Sequence, residues 1–417
     1  MDGLLIDSGE EMRRENRRRE HGRRVLIIVQ NLPVPLDRRV WLESQALRDA
    51  GFGVSVICPK GPGDARFEEL DGIRLYKYRP APATHGVIAF LYEFTYCWLA
   101  TLWLTGKVFR RDGIDVIQAC NPPDTFWALA LLFRPFGVSF VFDQHDLCPE
   151  VYQARFEKPS RALLGGLKWL ERASYSTARE VIVTNALYRE TAMARGKLAP
   201  ESVTVVRNGP LPDRFVRGEP DPSLRRGRAF LCCYLGIMGP QDGVDLVVRV
   251  ARAIRELGRD DVQFALLGFG DMLEELQQLA IELGVDDCVE FTGRADDEMV
   301  RAWLSTADAG IVPDPKTPFN DVSSMNKTVE YMAFGVPLIA YDLRETMATA
   351  ESAGVYVKTP DPIDFARTLL DLLDDPERRA DMARFGRAKF ERELSWPHQR
   401  DRYVAVFDCL LTPGTDE

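Results

Sequence analysis

The sequence predicts an α/β protein of two Rossmann-like, doubly wound parallel-sheet domains that face each other across a cleft. Three observations carry this. Short, fully apolar runs suited to burial on both faces of a parallel sheet recur along the chain, among them residues 24–30 (RVLIIVQ) and Ala309–Val312 (AGIV). Such runs are followed by a polar loop bearing glycine or proline and then by a helical pattern, the order of a βαβ unit. The pattern breaks at a turn-rich stretch, 207–228, and restarts at Ala229, which marks a linker between two halves. The 417 residues suffice for two separate cores.

In chain order, 24–30 is the first strand. A proline-stiffened loop, Asn31-Leu-Pro-Val-Pro-Leu-Asp, leads to a helix from about Asp37 to Ala50, closed by Gly51. No GxGxxG lies here, which counts against a dinucleotide oxidoreductase. Arg38, Arg39 and Glu43 sit at the helix start, on the ligand side of such a fold, and the two arginines are candidates for contact with an acceptor. Residues 53–58 read as the second strand and Ile73–Tyr78 as the third, near a sheet edge.

Residues 87–104 are the most apolar stretch. They are short for a bilayer, and Glu93 would cost about 2.5–3.5 kcal/mol inside one. The segment reads as a helix packed on the sheet. Its aromatics could also meet a membrane interface, with Lys107, Arg110 and Arg111 placed for anionic headgroups.

A strand over 115–119 and a helix over 125–133 lead to a strand, 138–143, that ends in Asp143-Gln-His-Asp. His145 thus stands just past a strand C-terminus between two carboxylates, Asp143 and Asp146, which raise the pKa of an imidazole and orient its ring. Glu150 would cap the next turn or serve an acceptor. An amphipathic helix over 161–178 carries a stripe of Leu163, Leu164, Leu167, Leu170 and Ala173, expected in the core. After the linker, 229–235 is a strand ending in Gly236-Ile-Met-Gly-Pro-Gln-Asp-Gly. Gly236, Gly239 and Gly243 allow a backbone to approach a phosphate. A later strand ends at Gly293-Arg294.

Composition bounds the function. A net charge of −10 excludes general nucleic-acid affinity. Eight cysteines without a CxxC read as buried thiols of a reducing, cytoplasmic compartment. Four histidines without paired spacing give no metal site. Residues 1–22, rich in Arg and Glu, read as a disordered or frayed tail, not a signal peptide.

Residues 309–342 are the most informative. A strand and a proline-bearing loop precede a helix expected to begin at Asp321 or Ser323 and to end at Gly335. The amides of 321–324 would then face a ligand at the sheet's C-terminal edge and suit a phosphate. Lys327, one turn in, could reach a diphosphate, and Glu330, a turn further, could accept both hydrogen bonds of a ribose diol. A plain crossover helix with a solvated Lys and Glu fits the same spacing.

The run from Asn326 to Ala340, Asn-Lys-Thr-Val-Glu-Tyr-Met-Ala-Phe-Gly-Val-Pro-Leu-Ile-Ala, resembles the nucleotide-sugar motif of family 4 glycosyltransferases, retaining enzymes of the GT-B fold. The likeness extends over about residues 24–410. It implies an acceptor domain over 23–212, a donor domain over 213–395 and a terminal helix over 396–417 that crosses back to the first domain. It implies that Glu330 holds the donor ribose, and that Lys327 and the amides around Ser323 and Ser324 hold the diphosphate. Gly236, Gly239 and Gly243 would pack on the phosphates or sugar and Arg294 on the base. His145, beside Asp146, would contact the donor and position the acceptor. The family's usual second Glu falls on Val322, and its loop Arg and Lys fall on Ile237 and Asp242, so this chain departs from the fuller motif.

The implied reaction is metal-independent, needs no cofactor and moves a hexose from a nucleotide-sugar, with UDP the expected nucleotide. The expected acceptor is a glycan or a polyprenyl-linked lipid of surface polysaccharide or glycolipid synthesis. It would be met by a cytoplasmic enzyme seated peripherally on the anionic inner face of the membrane. A GT-B sugar-nucleotide epimerase and a non-catalytic nucleotide-sugar-binding protein are the alternatives.

Overall fold

The apolar runs assemble into two parallel sheets. The computed structural model describes residues 23–81, 87–156 and 158–411, so the expected tail at 1–22 lies outside the described residues. The first domain runs β1 (Arg24–Ile28), α1 (Arg38–Asp49), β2 (Gly53–Pro59), β3 (Phe67–Leu70), β4 (Ile73–Tyr78), α2 (Val87–Arg111), β5 (Val116–Cys120), α3 (Trp127–Phe133), β6 (Ser139–Gln144), α4 (Cys148–Arg155), α5 (Arg161–Thr177), β7 (Glu180–Val183), α6 (Ala186–Gly196) and β8 (Val203–Val205). Its eight strands lie in the order β3-β4-β2-β1-β5-β6-β7-β8. In β1, Leu26, Ile27 and Ile28 are fully buried, as a strand covered on both faces requires.

One expectation holds and one fails. β4 lies near the sheet edge as expected, one strand in from an edge strand, β3, that the sequence did not announce and that pairs antiparallel with it. The sequence Phe-Glu-Glu-Leu lacks the apolar run of a central strand, and its charges suit an edge. The leucine stripe of α5 is not core: Leu163 is 60% exposed, whereas the buried positions are Glu171, Ser174 and Tyr175. Glu171 is held there by Arg195.

The second domain runs β9 (Phe230–Leu235), α7 (Asp245–Glu256), β10 (Val262–Leu267), α8 (Leu273–Glu282), β11 (Val289–Gly293), α9 (Asp297–Thr306), β12 (Ala309–Val312), α10 (Asn326–Phe334), β13 (Leu338–Tyr341), α11 (Arg344–Ala350), β14 (Gly354–Val357), α12 (Pro362–Leu373) and α13 (Pro376–Lys389). Its six strands are ordered β11-β10-β9-β12-β13-β14. The terminal helix α14 (Trp396–Leu411) returns to pack on α1 and β8, with Phe407 edge-on to Phe52.

Both sheets reverse their winding beside their first strand, between β1 and β5 and between β9 and β12. A doubly wound fold opens a crevice at such a switch point. The loops there are 29–37 and 121–126 on one side, 236–243 and 313–325 on the other. The two connections between the domains touch at Gly209: a Cβ there would lie 2.5 Å from the Leu394 carbonyl oxygen and 2.8 Å from the Trp396 nitrogen. Among the described residues, no helix is long and apolar enough to cross a membrane.

Candidate functional site

A cleft of about 720 Å³ lies between the start of α1 in one domain and α10 in the other. It is lined by Arg38, Arg39, His145, Arg214, Asn326 and Glu330, and walled by Leu36, Trp41, Phe215 and Trp396.

Its first wall is densely hydrogen-bonded, although Glu43 Oε1 takes no hydrogen bond. Asp37 caps α1 by accepting the Val40 amide at 3.1 Å, which sets the helix so that Arg39 points inward. The Arg39 guanidinium reaches Asp143 Oδ1 at 3.0 Å, Glu43 Oε1 at 2.9 Å, the Val206 carbonyl at 3.0 Å and Asn208 Oδ1 at 2.7 Å. Asp143 is the penultimate residue of β6, and its Oδ2 lies 2.9 Å from His145 Nε2. The His145 and Asp146 amides both donate to Asn121 Oδ1, at 2.6 and 3.1 Å, which fixes the loop. Burial alone would raise Asp143, but Arg39 and His145 pull its pKa far below the usual carboxylate range. Burial alone would lower His145, yet the Asp143 carboxylate holds it above its ordinary value. Cys120 joins Asp143 and His145 at cation-binding spacing, but the Arg39 guanidinium and the Gln118 amide already occupy that carboxylate.

The second wall is less committed. Glu330 faces the cleft from α10, and among the described residues its carboxylate makes no hydrogen bond. Burial raises its pKa, opposed by Arg38 and Lys327. Lys327 is buried and grips Asp314 with both oxygens, at 3.0 and 2.8 Å, below the Tyr234 ring. A Cβ on Gly236 would lie 3.4 Å from Lys327 Cε, so the glycine loop is pressed against that lysine. Gly243, at φ +62°, would meet the Pro313 carbonyl oxygen at 2.7 Å, which ties the glycine loop to the proline loop. Gly239 donates its amide to Asp242.

The structure corrects the expected helix start. The helix α10 begins at Asn326. The amides of Asp321, Val322 and Ser323 are consumed in a tight turn, donating to Thr317, Phe319 and Asn320. Ser323 Oγ bonds the Phe319 carbonyl and the Tyr188 hydroxyl, and Ser324 Oγ accepts from Asn185. These two serines therefore join the domains together, and Val322 packs into the first domain's core. The amides open at the helix start are those of Asn326 and Lys327.

The remaining candidates sit as follows. Arg38 reaches across the cleft to Asp297 at 3.1 Å, where Arg214 also binds. Arg294 is exposed with its guanidinium 5.5 Å from the Phe269 ring centre. Asp146 is partly buried and, among the described residues, takes no side-chain hydrogen bond; burial raises its pKa. Glu150 does not line the cleft: Arg195 holds its carboxylate, a structural tie between α4 and α6. Sequence reasoning missed Gln118, Asp314 and Tyr403. The spacing of each is ordinary, and each matters only through a partner distant in sequence.

Two family models match the chain, "Glycosyl transferase 4-like domain" over residues 36–209 and "Glycosyl transferases group 1" over 229–375. The chain is similar to two proteins named D-inositol 3-phosphate glycosyltransferase. For that of Thermomonospora curvata the identity is 31% over 65% of this chain and 66% of the relative. For that of Frankia alni it is 30% over 69% of this chain and 73% of the relative. The match to the first thus spans about two thirds of that relative's length. In structure, the chain is similar to sucrose-phosphate synthase from Thermosynechococcus elongatus, with a TM-score of 0.74 at 20% identity over 93% of this chain and 99% of the other.

Proposed function

The chain belongs to the family 4 type of glycosyltransferases, with the GT-B fold, and on that premise we propose that it moves a sugar from a nucleoside diphosphate donor, expected to be UDP, to a glycan or polyprenyl-linked acceptor with retention at the anomeric carbon. One observation carries the reading: Glu330 holds an uncommitted carboxylate in the crevice between the domains, one turn beyond the open amides of α10. A carboxylate so placed accepts the two hydroxyls of a ribose while the helix start faces the diphosphate.

Cleaving a glycosyl–phosphate bond builds negative charge on the leaving diphosphate. The amides of Asn326 and Lys327 and the helix dipole meet that charge, whereas the amides of Gly236 and Gly239 are already taken by the Leu267 carbonyl and by Asp242. Lys327 adds its own charge only by exchanging Asp314 for phosphate oxygens. The leaving phosphate then takes the acceptor's proton, and His145 orients the reacting groups.

A lipid-linked acceptor is supported by one face of the first domain. Phe109 of α2 packs between Phe133 and Phe136, at 5.4 and 5.3 Å, and Trp127 of α3 packs on Trp169 of α5 at 5.6 Å. Leu99, Trp103, Leu132, Phe136 and Trp169 are exposed along these elements, with Lys107, Arg110, Arg111 and Lys168 beside them. Apolar side chains edged by cations suit the interface of an anionic membrane. Flotation with anionic vesicles should carry the protein upward, and neutral vesicles should carry less.

Thermal-shift screening with UDP, GDP, ADP and their sugars tests the core of the reading. A ligand at 100 times its Kd adds about 2.7 kcal/mol to stability. One nucleotide family should raise the Tm of the wild type and raise that of Glu330→Gln distinctly less at the same concentration. If none of them moves the wild type, the reading is wrong.

A further inference from the structure

The loop that carries His145 meets the second domain at a buried joint centred on Tyr188 of α6. Asn185 caps that helix: its Oδ1 accepts the Tyr188 amide at 2.7 Å. Its Nδ2 donates to the other domain, to the Val322 carbonyl and to Ser324 Oγ, each at 2.9 Å. The Tyr188 hydroxyl lies 3.1 Å from Ser323 Oγ, and the backbone amide of Leu147, two residues past His145, donates to the same hydroxyl. Asn185, Tyr188 and Leu147 are buried, and Leu147, Tyr188 and Val322 share one apolar cluster. Helix α4, which begins at Cys148, lies against the turn Pro240–Asp242 of the glycine loop.

The direction of these hydrogen bonds follows from the count of protons. Ser323 has one hydroxyl proton and gives it to the Phe319 carbonyl at 2.8 Å. Tyr188 therefore donates to Ser323 Oγ, and its oxygen is left to accept from Leu147. The result is a single-file run from the Leu147 amide through the two hydroxyls to the Phe319 carbonyl. One end sits on the loop of His145. The other sits on the loop 313–325, which carries Asp314, the partner of Lys327, and opens directly into α10. Buried hydrogen bonds in series polarise one another, and removing the middle member leaves a buried amide without its acceptor.

We propose that Tyr188 is a positioning residue: it holds the His145 loop of the first domain in register with the loop that leads into α10 of the second, through Leu147 on one side and Ser323 on the other. Tyr188 does not line the cleft, so it acts only through these two loops. Without its hydroxyl the loops move independently, while Glu330 and the open amides of α10 keep their places. The consequence for turnover rests on the proposed transfer reaction; the coupling of the two loops does not.

The test is hydrogen–deuterium exchange of the ligand-free full chain, read by mass spectrometry on peptides covering 143–152 and 316–325. Ser323→Ala, in the second domain, should speed exchange across 145–152 about fivefold, the worth of one net hydrogen bond. Tyr188→Phe, in the first, should speed exchange across 319–325 by a similar factor. The double variant should go no further than the stronger single one, because both break the same run. Unchanged exchange, changes confined to the substituted residue's own domain, or effects that multiply in the double variant overturn the proposal. Ser323→Ala decides it alone if Tyr188→Phe does not fold. A second readout separates positioning from mere support. Affinity of Tyr188→Phe for UDP, by calorimetry, should stay within about threefold of the wild type. Its kcat with the UDP-sugar that raises the Tm should fall about tenfold, as the reacting groups lose alignment. Equal losses in affinity and kcat, or a loss in neither, overturn the positioning role. A wild type that binds no nucleotide sugar sinks the transfer reading and leaves the exchange result to decide the coupling.

Discussion

The two walls of the cleft are built on opposite plans. In the first domain, Arg39, Asp143, Glu43 and Gln118 are joined to one another and to His145 with every distance at 3.1 Å or less. In the second, Glu330 has no hydrogen-bond partner among the described residues and Lys327 has the wrong one for phosphate, Asp314. The first wall is preorganised, so its dipoles need not move when charge develops. The second leaves the Glu330 carboxylate unpaired among the described residues, and on the proposed reading it breaks an internal ion pair to present its cation to a donor. If the proposed transfer holds, the comparison teaches where binding energy is spent: on the second wall a donor displaces Asp314 from Lys327, and on the histidine wall a ligand meets a fixed frame.

The comparison is broken most severely at Lys327. Lys327→Met leaves Asp314, itself 1% exposed in its side chain, as an unpaired buried anion, which should cost about 3–5 kcal/mol by chemical denaturation. Adding Asp314→Asn removes the lone charge and should restore most of that stability without restoring affinity for a nucleoside diphosphate. If the double variant binds as tightly as wild type, Lys327 is only a structural ion-pair member. Glu330→Gln should act the opposite way. No hydrogen bond among the described residues is lost, so stability should stay within about 0.5 kcal/mol. Affinity for the diphosphate nucleoside should drop about 10–100-fold by calorimetry, the worth of one charged hydrogen bond or more.

That asymmetry also decides what could be read in advance. The core strands were legible because β1 and β12 are unbroken apolar runs, and β3 was not because an edge strand needs no such run. The placement of Glu330 and His145 at the cleft was legible because His145 lies just past the end of β6 and Glu330 one turn into the helix that follows β12, and a doubly wound fold opens its crevice there. The frame behind His145 was not. Tyr403 and Gln118 meet across 285 residues, and no local spacing announces such a pair. Ser323 and Ser324 misled for a related reason: a turn stabilised by Thr317, Phe319 and Asn320 captured the amides that a longer helix would have left open. Val322 reads as a lost carboxylate in sequence, yet in the fold it is a buried apolar contact between domains.

The joint between the walls sharpens the comparison further. Gly209→Ala would place a methyl group 2.5 Å from a carbonyl oxygen and 2.8 Å from an amide nitrogen, backbone atoms that have little freedom to retreat. We expect a loss of about 1–3 kcal/mol in stability. Because the clash lies between the two interdomain connections, it should also weaken nucleotide binding, whereas Gly227→Ala should leave binding intact. Gly227 has φ +81° with nothing within 4 Å of its Cβ, so its strain is local to one loop.

A pH-dependent effect tests how rigid the histidine wall is. Asp124 is 3% exposed, accepts one hydrogen bond from Asn121 at 2.8 Å and leaves its second oxygen without a partner. Asn121 in turn holds the His145 and Asp146 amides. Burial pushes the Asp124 pKa from 3.8 up to about 7. Its folded-state pKa is therefore raised, so its contribution to stability is fully present below about 3.8 and is lost as pH rises to about 7. Each pKa unit of that separation is worth about 1.4 kcal/mol. Asp124→Asn keeps an acceptor for Asn121 and removes the titration, so melting curves taken from pH 4 to 8 should lose that part of the slope. The variant should gain on the wild type as pH rises through the window. If the two slopes coincide, Asp124 holds no buried proton, and the loop that carries His145 is more open to water than its wiring implies.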